Sequence, residues 1–150
     1  MGFLKKRFVF IMCIALLLGG CGFTRVAIPN DPTFDSIKLQ FYYDTGVNVD
    51  HIPIYFEDLD GFVIGTCYYS AFRNYIEIDK NYWDEFNAAE KEQIIYHELG
   101  HCALGRIGHT IGYTNWCPNS IMNTYAFSPW EIENCYIPYH NKYINELMGY

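Results

Sequence analysis

The segment His97-Glu98-Leu99-Gly100-His101 constrains this chain more than any other. Histidines at i and i+4 lie on one helix face about a turn apart, as two ligands of a single metal ion must. Glu98 is rotated about 100° from His97 on an ideal helix, so it can reach a water on the metal without being a ligand. Flanking residues favour a helix. Asn87 is a good N-cap, and Glu90 three residues on has capping-box spacing. Residues 88–104 contain no Pro and only Gly100 as a glycine. Ile94, Ile95, Leu99, Cys102 and Ala103 form an apolar stripe, and Gly105 stands where a left-handed cap would end the helix. Gly100 leaves room on the helix surface between the two histidines.

The N-terminus is of another kind. Lys5, Lys6 and Arg7 precede an uncharged apolar run from Phe8 to Leu18, too short to span a bilayer as a helix. Basic flank, short apolar run and small residues read as an export signal. The run ends Leu18-Gly19-Gly20-Cys21, which resembles a bacterial lipobox with Cys21 as the lipidated residue. The expected organisation is a lipoprotein signal peptide over 1–20, a tether over 21–33 and one catalytic domain over 34–150. Losing the three basic residues leaves seven Lys plus Arg against 17 Asp plus Glu, a net charge of −10. Such a domain is a poor nucleic-acid binder, because phosphate contacts need Lys and Arg. Membrane attachment must then come from lipid at Cys21, and more than one acyl chain anchors stably. The expected localisation is an exported membrane lipoprotein. Gly22, in place of Asp, favours the outer membrane if the cell has one.

Between tether and motif the pattern is mixed. Phe34, Ile37 and Phe41 suit a short helix ending at Gly46, although a strand also fits. Ile52–Phe56, Phe62–Tyr69 and Asn74–Ile78 read as strands. After Gly105 the chain is irregular as far as Pro129, and a C-terminal helix is expected from Tyr139 to Met148. The fold class is therefore α+β: a small mixed sheet packed on the motif helix, with a short C-terminal subdomain ending in a helix. Of six Cys, Cys67, Cys102, Cys117 and Cys135 remain once Cys13 and Cys21 are set aside. Disulfides are the default for an even number in an exported domain. Three pairings are possible. Cys67–Cys102 would tie a strand to the helix packed on it, and Cys117–Cys135 would close a loop around Ser120-Ile121-Met122.

The run from His97 through His101 and Gly105 to His109, followed by Ser120-Ile121-Met122, resembles the metzincin clan of zinc endopeptidases. The resemblance is specific over residues 87–125. It implies a zincin-type fold and one catalytic zinc held by His97, His101 and His109, with Met122 packed beneath as a Met-turn. It further implies Glu98 as general base and then acid, and a peptide or protein substrate bound extended along an edge strand at Phe62–Tyr69. Three spacings depart from the clan. Gly105 lies four residues after His101 and His109 four after Gly105, each one longer than usual. Tyr125 lies three residues after Met122 rather than two; it is a candidate to assist the oxyanion, or else a packed core residue. His140 competes as third ligand, as does Glu131 or Glu133 in a gluzincin-like arrangement with a downstream carboxylate ligand, and His51 reads as a surface residue. A non-catalytic zinc-binding surface lipoprotein is the reading from another class. The chain is expected to act as a monomer.

Overall fold

The computed structural model describes residues 30–70 and 73–150. The expected signal peptide over 1–20, the expected lipidation site Cys21 and the expected tether as far as residue 29 lie outside the described residues. Residues 30–33, expected in the tether, are docked on the domain instead. The Asp31 N–H donates to Ile54 O at 2.8 Å, and Asn30 Oδ1 accepts from the Ile54 N–H at 3.1 Å.

Asp31 caps a single 3-10 turn at Pro32–Phe34, which leads into α1, Asp35–Thr45. Gly46 ends α1 at φ 73, donating its N–H to Tyr42 O. Only glycine takes that conformation without cost. Lys38 on α1 is 3% exposed. Its ammonium donates to the carbonyls of Ile52 and Asp50 and to Asn30 Oδ1, and burial pulls its pKa down. Periodicity gave no hint of this buried cation, since a Lys in a helix pattern reads as solvent-facing.

Three strands follow: β1 Ile54–Glu57, β2 Gly65–Tyr68 and β3 Tyr75–Asp79. Their order is β1-β3-β2, with β1 parallel and β2 antiparallel to β3, so β2 is an edge strand. It is shorter than the run Phe62–Tyr69. Ile54, Ile76 and Ile78 point into the core. On the opposite face Tyr68 stacks on Tyr75 with centroids 4.7 Å apart, and the Tyr55 hydroxyl donates to Glu77. Tyrosine suits this position because the ring packs while the hydroxyl finds a partner.

Asp79 caps α2, Lys80–Glu85, and Asn87 with Glu90 forms a complete capping box on α3, Ala88–Cys102. Ile95, Tyr96 and Leu99 of α3 are fully buried. Each such side chain contributes about 1.5–3 kcal/mol. A disulfide joins Cys67 on β2 to Cys102 at the end of α3. The irregular stretch beyond contains a hairpin that propensity did not reveal, β4 Tyr113–Thr114 and β5 Cys117–Pro118. Its two turn residues, Asn115 and Trp116, have φ 51 and 68. Asparagine suits a left-handed turn, whereas tryptophan does not. A short α4, Pro129–Glu131, runs through a π-turn at Ile132–Tyr136 towards α5, His140–Met148. Cys117–Cys135 staples the hairpin to the π-turn, and the Tyr143 hydroxyl donates to Pro118 O. Among the described residues no helix is long and apolar enough to cross a membrane.

Candidate metal centre

Helix α3 carries His97 and His101 with their rings on one face, 4.9 Å apart between centroids. The helix stops at Cys102 rather than running to Leu104, because its last turn widens. The Leu104 N–H reaches Leu99 O at 3.3 Å, and the Arg106 N–H reaches back to Gly100 O at 2.9 Å. These bonds span five and six residues, which absorbs the extra residue between His101 and Gly105. Gly105, at φ 66, then reverses the chain. Gly108, at φ 86, takes up the second extra residue on the return.

His109 is held from the other side. The Thr110 N–H donates to Met122 O at 2.8 Å, and Thr110 O accepts from the Thr124 N–H at 3.1 Å. The chain just after His109 is thereby pinned to the turn around Met122. Met122 is buried beneath α3, with its sulfur against Gly100.

Three imidazole nitrogens converge. His97 Nε2 and His101 Nε2 are 3.2 Å apart, and they lie 3.1 and 3.0 Å from His109 Nε2. His97 Nδ1 is 2.8 Å from Ile121 O and His101 Nδ1 is 2.6 Å from Arg106 O. A carbonyl only accepts, so both Nδ1 atoms carry a proton and both rings turn Nε2 inward, the atom that offers a lone pair to a metal. Burial pulls His97 down to about 4, keeping it neutral at physiological pH, and burial and neighbouring His101 lower His109. Lone pairs this close repel one another unless a cation lies between them. The donor set therefore fits a metal ion, with backbone carbonyls fixing the tautomers behind the ligands. Among the described residues these three form the one group of His, Cys, Asp and Glu atoms gathered closely enough to hold a metal.

The competing ligands are elsewhere. His140 Nε2 is 3.0 Å from Glu92 Oε1, in a cluster with Tyr96 and Tyr136. Glu131 accepts from Ser128 at the cap of α4, Glu133 sits on the exposed side of the π-turn, and His51 is exposed.

Glu98 is 6% exposed, and burial lifts its carboxyl to about 7 despite a hydrogen bond from the Cys67 backbone. Gly65 on β2 makes room for it: a Cβ there would lie 3.0 Å from both Glu98 Cγ and Oε1. Two cavities flank the histidines, of about 350 and 560 Å³, and Gly65, Glu98 and His109 line both. They form a groove along β2. The first is walled by Phe62, Val63, Ile94 and Tyr125, the second by Tyr69, Ile107 and His101. Tyr125 is 72% exposed at the groove, so it is not a core residue. Arg106 went unnoticed in the sequence. Its guanidinium donates to the carbonyls of Glu146 and Leu147 and to the Glu146 carboxylate, tying the His101-supporting loop to the end of α5.

Residues 57–117 match the family model described as "Putative phage metallopeptidase". The match spans β2, β3, α3 and His109 and ends before Met122. It supports a metallopeptidase, and the matched span includes His97, Glu98, His101 and His109. No curated protein matches the chain, and neither does any solved structure.

Proposed function

We propose that this chain is a zinc-dependent endopeptidase of the metzincin type, anchored to a bacterial membrane through lipidated Cys21. The observation that carries the catalytic reading is the convergence of three Nε2 atoms, within 3.2 Å of one another, beside buried Glu98. Three imidazoles with an open side suit catalytic zinc better than a structural site, which would close with a fourth protein ligand. Zinc bound there supplies Lewis acidity to a water and to the scissile carbonyl.

The chain's own residues do the rest. Ile121 O and Arg106 O hold the rings of His97 and His101 in the ligating tautomer. Glu98, poised near neutrality, takes a proton from the attacking water and passes it to the leaving amine. Its pocket against Gly65 keeps the carboxylate from swinging away. Tyr125, on the groove wall, offers its phenol to the oxyanion. Substrate lies extended along the free edge of β2, pairing through its main chain. The metzincin assignment is further supported by Met122 beneath α3 and by the Gly105 reversal.

Glu98→Gln tests the reading. Purified variant should retain one zinc per chain, by elemental analysis, while hydrolysis of a fluorogenic peptide pool falls at least 100-fold. Hydrolysis that persists at the wild-type rate removes Glu98 from its role, and wild-type protein without zinc removes the enzyme.

A further inference from the structure

A second constellation lies beside the metal groove and takes no part in the chemistry just described. Tyr113, Trp116 and Trp130 line a shallow cleft together with Ser128 and Glu131. The rings are 52%, 84% and 54% exposed. Two exposed tryptophans and a tyrosine around one carboxylate are not accounted for by packing.

The cleft is built rather than incidental. Trp116 occupies the hairpin turn at φ 68, where glycine would be relaxed and a bulky residue is strained. Its exposed ring gains little from the core in return. The hairpin is stapled to the π-turn by Cys117–Cys135. Glu131 is fixed by accepting from the N–H and hydroxyl of Ser128 at 2.7 and 2.8 Å. Burial and the Glu131 charge both raise the Tyr113 phenol, so Glu131 exerts its negative field inside the cleft. From Ile107 to Asn141 the chain contains no Lys or Arg, so no cation from that stretch neutralises Glu131. Among the described residues, Lys80 lies over the ring of Phe56 and Lys91 over that of Trp83, away from this cleft.

We infer that the Tyr113–Trp116–Trp130 cleft is a binding site for a cationic side chain, Lys or Arg, of a bound polypeptide. Aromatic faces attract a cation through their quadrupole, with Trp the strongest, and a fixed carboxylate adds charge complementarity. Tyr113 adjoins Asn123 and Tyr125, which line the first cavity of the metal groove. The polypeptide is therefore the substrate, reaching the cleft with residues beyond the scissile bond; this last step rests on the peptidase reading.

Indole N–H resonances read the binding directly, without hydrolysis. Full-length protein is titrated with acetyl-Lys-Lys-Lys-amide and, separately, with the neutral acetyl-triglycine-amide and with chitotriose. The lysine peptide should shift the Trp116 and Trp130 signals, the other two should not, and Glu131→Gln should weaken the effect at least several-fold. Trp116→Gly separates function from structure. It should abolish the shift of Trp130 while the melting temperature holds or rises, because glycine is at ease at this turn. Equal shifts from triglycine, a shift from chitotriose alone, no shift at all, or a melting temperature that drops in Trp116→Gly each overturn the proposal. Binding without any peptide hydrolysis would leave the cleft standing and remove only its link to a substrate.

Discussion

A Cβ on Gly100 would lie 2.5 Å from the Met122 sulfur, so the glycine between the two motif histidines makes the room into which the Met-turn packs beneath α3. The same atom would also be 3.0 Å from Leu147 Cδ1 on α5. Gly100→Ala should destabilise the fold by about 1–3 kcal/mol through overpacking. Urea denaturation checks this, and with Met122→Ala added the total loss should be smaller than the sum of the two single losses, because the contested space is emptied. Additive losses in the double variant would mean that the two residues do not compete.

Glu98 depends on the edge strand in the same way. Gly65→Ala pushes a methyl against its carboxylate. We expect kcat to fall at least 10-fold while zinc content stays at one per chain, since a misplaced catalytic group costs rate rather than metal. A variant that loses zinc in step with activity would show that Gly65 serves the metal ligands instead.

Zinc should hold the histidine-bearing segments together. At zinc a thousand-fold above Kd, binding stabilises the native state by about 4 kcal/mol. Chelation should therefore lower the melting temperature by several degrees. His109→Ala should remove the difference between chelated and loaded protein. His140→Ala should leave that difference intact, because its ring faces Glu92 away from the cluster.

His140 gives a pH signature of its own. The Glu92 hydrogen bond raises its pKa, outweighing burial, which lowers it; the Glu92 and Asp44 charges raise it further. A raised folded value means that the stability is fully present below the unfolded value of about 6.5 and is lost as pH climbs through the folded value. Wild type should exceed His140→Gln in stability most at pH 5.5 and least at pH 9. Denaturation midpoints across that range check the sign, and a gap that widens with pH would contradict it.

The two disulfides close sequence separations of 35 and 18 residues. By chain entropy each contributes about 3–4 kcal/mol. Replacing Cys67 and Cys102 by Ser should lower the unfolding midpoint and also depress activity, since Cys67 supplies the backbone hydrogen bond to Glu98. The Cys117–Cys135 pair should affect stability with less effect on peptide hydrolysis.

The sequence by itself determined what helical periodicity controls. Spacing places His97, Glu98 and His101 on one turn, and the Asn87–Glu90 box starts the helix, because both depend on residues within four positions of each other. The apolar alternation of β3 and the αL glycine at Gly105 are local in the same sense. Tertiary structure decided the rest. His109 reaches the site only because the Thr110 backbone pairs with the segment around Met122, a contact across a loop with no local code. The widened turn after His101, the carbonyls of Ile121 and Arg106, the space at Gly65 and the burial of Lys38 are likewise distant pairings. Trp116 shows the limit most plainly. Its left-handed turn runs against its own propensity and exists because the hairpin and the Cys117–Cys135 bridge impose it. Residue pattern encodes short-range geometry, whereas the ligand set, the carboxylate's setting and the groove depend on contacts that form only when separated segments pack.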